Sequence, residues 1–235
     1  HIAGPKVNMG RILRPEDHYK DLVPKSGIRR SGVGYSIPST FTTGYRYATM
    51  GYTTVFEPAN PPMKMRHVHD ELNDIPIVDK GAYPIFDNNW FVMEYLRDKK
   101  MDELAAYVAF TLEAVKGYAL KLVDPGGVEA WKWGGTVGGL DDQVPRFGVT
   151  PREIVRGLCK VNKLLNLPHP LHVHANGLGI PGNYATTIKT MDCVRDMADD
   201  RPIIHVTHVQ FNGYGGWDWS SLRSGAEEIA KYVNA

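Results

Sequence analysis

The stretch GYALKLVDPGGVEAW, residues 117–131, reads as an apolar strand interrupted by one lysine, Lys121, and closed by a turn at Asp124-Pro125-Gly126-Gly127. A lone ammonium is costly to bury, so a lysine in such a strand snorkels to solvent, pairs with a carboxylate or gives up its charge. Two more strand-like stretches carry histidines: LHVHANGLG holds His172 and His174, and IIHVTHVQF holds His205 and His208. Neutral imidazole is the commonest nitrogen ligand of zinc, and a catalytic zinc takes about three protein ligands while keeping a position open. Side chains alternate along a strand, so His172 and His174 share a face; His205 and His208, an odd number apart, face opposite ways if their strand is regular. His174 and His208, nearest the strand tips, are the better placed metal ligands. His172 and His205 lie deeper, as core or supporting residues. Taken singly, each histidine reads as a satisfied core residue and Lys121 as a salt-bridge partner; their concentration in one strand pattern favours a metal.

The elements that would position these residues alternate along the chain. YTTVFEPANPP is β-rich, MRHVHDEL helical, and DIPIVDKGAYPIFDNN holds a short strand; MDELAAYVAFTLEAVKG has helical spacing and leads into the strand of Lys121. TPREIVRGLCKVNKLLNL opens with Thr150 as N-cap, Pro151 at the first helical position and Glu153 completing a capping box. Strand PLHVHAN, helix YATTIKTMDCVRDMADD, strand RPIIHVTHVQF and a final helix from Ser220 follow. Such alternation predicts parallel strands with crossover helices. A doubly wound nucleotide-binding sheet would carry a glycine fingerprint after its first strand, and SGVGYS follows no convincing strand. A β/α barrel places its chemistry at the C-terminal strand ends, where this chain has His1, Glu57, Asn60, Asp87, Asn88, Lys121, His174 and His208. The barrel is the expected fold, with about six of its eight strands in residues 1–235. The chain opens on His1 and IAGPKVN, which reads as a strand cut in mid-element, so a fragment lacking the start of the first strand and the last two strands is expected.

Composition bounds the rest. The chain has 235 residues, 43% hydrophobic, with Lys+Arg 27 against Asp+Glu 26, so charge offers no case for nucleic acid or an anionic membrane as partner. No apolar run approaches the ~20 residues of a membrane span, and a cytoplasmic protein is expected. Cys159 and Cys193 fall in helical patterns without metal or redox spacing and read as packing residues. His67, His69, Asp70 and Glu71 read as a solvated helix start, and His18 and His169 as equally ordinary.

The strings HIAGPKVN with RPEDHY, VDPGGVEAWKWGG, HVHANGLGIPGN and HVTHVQFNGYGG resemble the A subunits of formylmethanofuran dehydrogenases, members of the amidohydrolase superfamily. The resemblance spans essentially the whole chain and implies a metal-dependent amidohydrolase-type (β/α)8 barrel. It implies that His1 is the second member of a first-strand His-x-His pair and that Lys121 becomes an N6-carboxylysine bridging two divalent metal ions, with zinc expected. His174 and His208 are implied as the fifth- and sixth-strand ligands, with His205 and His172 as runners-up. The general-base aspartate of the family lies outside the given sequence. The implied reaction joins formate and methanofuran into N-formylmethanofuran, or the reverse, beside a tungsten- or molybdenum-containing formate dehydrogenase-like partner and iron–sulfur subunits. The loops after the strands offer Trp131, Trp133, Tyr214, Trp217 and Trp219 for an aromatic substrate; Trp133 and Tyr214, with Asn60 and Asn176, are the candidate substrate contacts. Packing against other subunits is as good a reading of each aromatic. A dihydroorotase-like amidase, a component of the bacterial formyltransferase/hydrolase complex, and a non-catalytic barrel scaffold are the rival readings.

Overall fold

The computed structural model describes residues 2–3 and 40–235. These fall into two compact units, one running to Pro84 with Val115–Tyr118 added, the other comprising Ile85–Ala114 and Ala119–Ala235.

The first unit holds helix α1 (Thr40–Thr49), strand β1 (Thr54–Asn60), a 3-10 turn at Pro62–Lys64, helix α2 (Met65–Asn73) and strand β2 (Asp79–Pro84). The two strands pair in parallel from Thr54↔Asp79 to Glu57↔Ala82, with an irregularity before Asn60. Parallel pairing requires a crossover, which α2 supplies. Its buried Met65, Val68 and Leu72 recur at helical spacing and join Val55, Ile75, Val78 and Ala82 in the core. His67, on the outward side of α2, bonds Glu71 one turn on at 2.8 Å, and His69 Nε2 bonds the Val115 carbonyl at 2.9 Å. In the middle of β1, the fully buried Glu57 carboxylate accepts the backbone N–H groups of Ile2 and Ala3.

The second unit opens with α3 (Trp90–Arg97) and α4 (Met101–Ala114), followed by β3 (Lys121–Val123), α5 (Gly127–Lys132), α6 (Pro151–Leu164) and β4 (Leu171–His174). It continues through α7 (Tyr184–Asp192), β5 (Ile204–Val206), α8 (Val209–Asn212), a short antiparallel pair β6 (Tyr214–Gly215) and β7 (Arg223–Ser224), and α9 (Ala226–Val233). Strands β3, β4 and β5 form a parallel sheet in that order, and an isolated parallel bridge joins Ile85 to Lys121. The apolar side of α6, with Ile154, Val155, Leu158 and Val161, packs into a core shared with Leu122, Leu171 and Val173. The capping box is present: the Thr150 hydroxyl accepts from Glu153 N at 3.2 Å, and Glu153 Oε2 accepts from Thr150 N at 2.8 Å. Cys159 and Cys193 are buried free thiols whose pKa values desolvation pushes up to about 12 and about 11, consistent with packing.

Three expectations are corrected. The strand read through His208 ends at Val206, because His208 takes a left-handed conformation (φ 57°) and the chain turns into α8. The final helix starts at Ala226, since Asp218 and Ser221 are held in a turn by their own side chains. The glycine-rich loop after Lys121 contains α5, which begins immediately after Gly126.

Gly126 has φ 71°, and a Cβ there would collide with Cγ2 of Val144, a buried core residue. Left-handed backbone costs a non-glycine residue about 1–2 kcal/mol, and overpacking adds about as much. Gly126→Ala is therefore expected to lower unfolding free energy by at least about 2 kcal/mol, read from the shift of the urea midpoint.

Candidate active site

The sheet register decides which side chains meet. Lys121 pairs with His172, and His172 pairs with His205, so the three form one row across β3, β4 and β5. Val123 pairs with His174, which puts His174 one row further toward the C-terminal edge on the same face as His172. The His172 and His205 rings lie 4.7 Å apart by centroid, and those of His174 and His208 lie 5.1 Å apart. A regular strand would have turned His205 and His208 to opposite faces; the left-handed residue at His208 returns its ring to the side of His174. All four imidazoles therefore gather above one sheet.

Lys121 is 1% exposed, and its Nζ donates to Thr207 Oγ1 at 3.2 Å, reaching across β4. His172 is held neutral, its pKa lowered to about 3 by desolvation first, then by the charge of Lys121 and the neighbouring imidazoles. A neutral ring keeps a lone pair for a metal or a hydrogen bond.

A second layer braces this row. Asp87, fully buried, accepts from Val123 N and from Asn88 Nδ2 through Oδ2, both at 2.8 Å. Its Oδ1 has no hydrogen-bond partner among the described residues, and desolvation, partly opposed by the Val123 N–H bond, pushes its pKa up to about 8. Asn88 also donates to the carbonyl of Val123 and accepts from Glu129 N, tying β3 to α5. Asp124, with φ 53°, donates its N–H to the His174 carbonyl; its Oδ1 accepts from Asn176 Nδ2 at 2.8 Å, while burial raises the carboxyl's pKa.

The candidate substrate contacts are placed as follows. Asn176 is 1% exposed, and its amide nitrogen serves both Asp124 Oδ1 and the Pro125 carbonyl, so it braces the turn after β3. Trp133 gives its Nε1 to the buried Glu129 and has the Arg146 guanidinium 3.3 Å above its ring. Tyr214 N donates to Asn183 Oδ1, with its ring beside Phe211. Asn60 belongs to the first unit, where its buried Nδ2 has no hydrogen-bond partner among the described residues. His1 lies outside the described residues, as does His18.

Beside His174 opens a cavity of about 710 Å³, walled by Asp124, Trp131, the glycine-rich 135–138 segment, Asn183 and Trp217. Trp131 and Trp217 are 77% and 85% exposed, so it is these indoles, rather than Trp133 or Tyr214, that face the opening. Sequence reasoning treated Asp124 only as a turn residue and had no signal for Thr207 as a partner of Lys121.

A model of the amidohydrolase family matches residues 1–235. The chain belongs to the amidohydrolase family. It is 53% identical to protein FwdA of Methanocaldococcus jannaschii over 241 residues and 35% identical to the A subunit of the formyltransferase/hydrolase complex Fhc of Methylorubrum extorquens over 239. Each alignment covers 100% of this chain and 42% of the relative, so the chain spans under half the length of the curated proteins it matches. The crystal structure of the Methylorubrum extorquens FhcABCD complex with methylofuran superposes with a TM-score of 0.85 at 34% identity, again over 100% of this chain and 42% of that one. The fold is thus the α/β fold of amidohydrolases, with parallel sheets.

Amidohydrolases typically bind metals, and the donor set here can be tested for one. Among the described residues no group of three or more His, Cys, Asp or Glu side chains is assembled to hold a metal ion. What the sheet supplies is two imidazole pairs and, between the strands, a buried lysine. Imidazole nitrogens of this kind are donors that suit a divalent metal such as zinc.

Proposed function

We propose that the protein containing this chain is a metal-dependent amidohydrolase acting on an N-formyl amide, interconverting N-formylmethanofuran with formate and methanofuran. The reading is carried by one observation: a fully buried lysine in one row with His172 and His205, with the His174 and His208 pair above it at the C-terminal ends of parallel strands. The likeness to FwdA and to a complex solved with methylofuran supports the substrate class.

In this reading Lys121, as a neutral amine, adds to CO2 to give a carbamate and a proton. The product carries two hard oxygen donors on a long arm, and the buried cation is gone. His174 and His208 would serve with it as ligands, and His1 as a further one on the strength of the resemblance; His172 and His205 would support them from the row below. Bound there, divalent ions, with zinc expected, would supply Lewis acidity for water and for the formyl carbonyl. Thr207 orients the Lys121 side chain through its hydroxyl. Asn88 and Asn176 hold the loops after β3 and β4 so that the histidine row stays fixed. The closed barrel, a tungsten- or molybdenum-containing formate dehydrogenase-like partner with iron–sulfur subunits, and the synthetic direction with CO2-derived formate belong to the same proposal. Among the described residues no helix is long and apolar enough to cross a membrane.

The test is formate release by the full-length protein from N-formylmethanofuran, with dihydroorotate as the competing substrate. Release from the former alone supports the reading; a metal-loaded protein that releases no formate refutes it.

A further inference from the structure

Glu57 stands in the middle of β1 with its side chain fully buried, between the buried Val55 and Ala59 and opposite the buried Ala82 of β2. A carboxyl group taken into such surroundings is costly unless hydrogen bonds compensate it. Here one oxygen, Oε2, accepts two consecutive backbone N–H groups, from Ile2 at 2.5 Å and from Ala3 at 3.0 Å. A carboxylate is the acceptor that makes such bonds strongest, and successive N–H groups that converge on it also fix the backbone of the residues carrying them. The side chains of Ile2 and Ala3 pack in the core with Val55, Met65 and Ala82. An apolar residue at position 57 would serve that packing without the cost of burying a carboxyl group. What the carboxylate adds is its hold on the backbone. The N–H held at Ile2 belongs to the peptide that joins Ile2 to His1. A peptide is planar, so anchoring that N–H leaves the Cα of the preceding residue little freedom.

We propose that Glu57 is a positioning residue for His1: its carboxylate anchors the backbone directly after His1, so that the imidazole is presented to a metal ion at a fixed place. The inference rests on the amidohydrolase reading, in which His1 is a ligand, and adds to it a residue outside the ligand set. Glu57 touches neither metal nor substrate in this account; it acts through His1 alone. A histidine on a free segment would lose conformational entropy on binding a metal, and the anchor removes that cost in advance.

The test is a double-mutant cycle on zinc affinity, read by chelator competition in the full-length protein without turnover. Glu57→Met, which fills the space without an acceptor, is expected to weaken zinc binding about 10- to 100-fold, the effect of removing a partner that orients a metal ligand. Glu57→Gln keeps an oxygen acceptor and is expected to lose less. His1→Ala itself is expected to bind zinc more weakly, and in that background neither substitution at position 57 should weaken binding further, because the ligand through which Glu57 acts is gone. Urea unfolding of the metal-free variants shows which of them fold, and Glu57→Gln carries the cycle if Glu57→Met does not. If His1→Ala weakens zinc binding while substitution at position 57 leaves it unchanged, or lowers it by the same factor with and without His1, the proposal is overturned and the ligand reading stands. Unchanged zinc affinity in His1→Ala removes His1 from the ligand set and overturns both.

Discussion

Lys121→Ala is expected to leave the full-length protein without bound metal and to cut formate release by more than about 100-fold, the scale on which even outer partners of metal sites act. The reason is that Lys121 stands in one row with His172 and His205 and is among the largest fully buried side chains of the described residues. Alanine also leaves a cavity, so the companion substitution is Lys121→Met, which fills the space without an amine. Both variants should lose metal by elemental analysis, and Lys121→Met should melt close to wild type. Added acetate or propionate should restore part of the metal content and activity to Lys121→Ala, because the free acid can occupy the space and supply the missing oxygens, and should do little for the filled Lys121→Met site. Retention of two metals by Lys121→Met would show that Lys121 is not a ligand.

The parts of this molecule that follow from local sequence were legible, and those that follow from side-chain reach were not. The capping box at Thr150 and Glu153 is written in four consecutive residues and is found there. The crossover pattern gave the parallel strands, since helical spacing in Met65, Val68 and Leu72 lies between two β-rich runs. The grouping of Lys121 with the histidines was legible in part. Alternation placed His172 with His174, but the same rule set His205 against His208, and one left-handed residue overrode it. Backbone conformation at a single histidine has no sequence signal comparable to a glycine. The aromatic residues show the other limit. Trp131 and Trp133 are two apart in a glycine-rich loop, and only the folding of that loop into α5 sends one to Glu129 and Arg146 and the other to the cavity.

Asp87 should make stability depend on pH in a direction opposite to that of an ordinary salt-bridged acid. An unfolded aspartate loses its proton above a pKa of about 3.9, whereas Asp87 in the folded chain keeps its proton until about 8 because burial penalises the carboxylate. Between these values the native state holds the extra proton, so unfolding free energy falls as pH rises. The stabilisation of the protonated form is complete below about pH 4 and is progressively lost up to about pH 8, a contribution on the order of several kcal/mol at 1.36 kcal/mol per pKa unit. Asp87→Asn resembles the protonated acid: its amide oxygen can take the bonds from Val123 N and Asn88 that Oδ2 now accepts. Relative to wild type, Asp87→Asn should be near neutral at pH 4 and stabilising by pH 8, as measured by urea unfolding at both values. A difference that does not change with pH would mean that Asp87 ionises in the fold like an exposed acid. The same proton bears on Lys121, whose charge is felt at Asp87. A protonated Asp87 lends its neighbour no negative charge at pH 7, so it does not oppose the loss of the ammonium that the proposed carbamate on Lys121 would require.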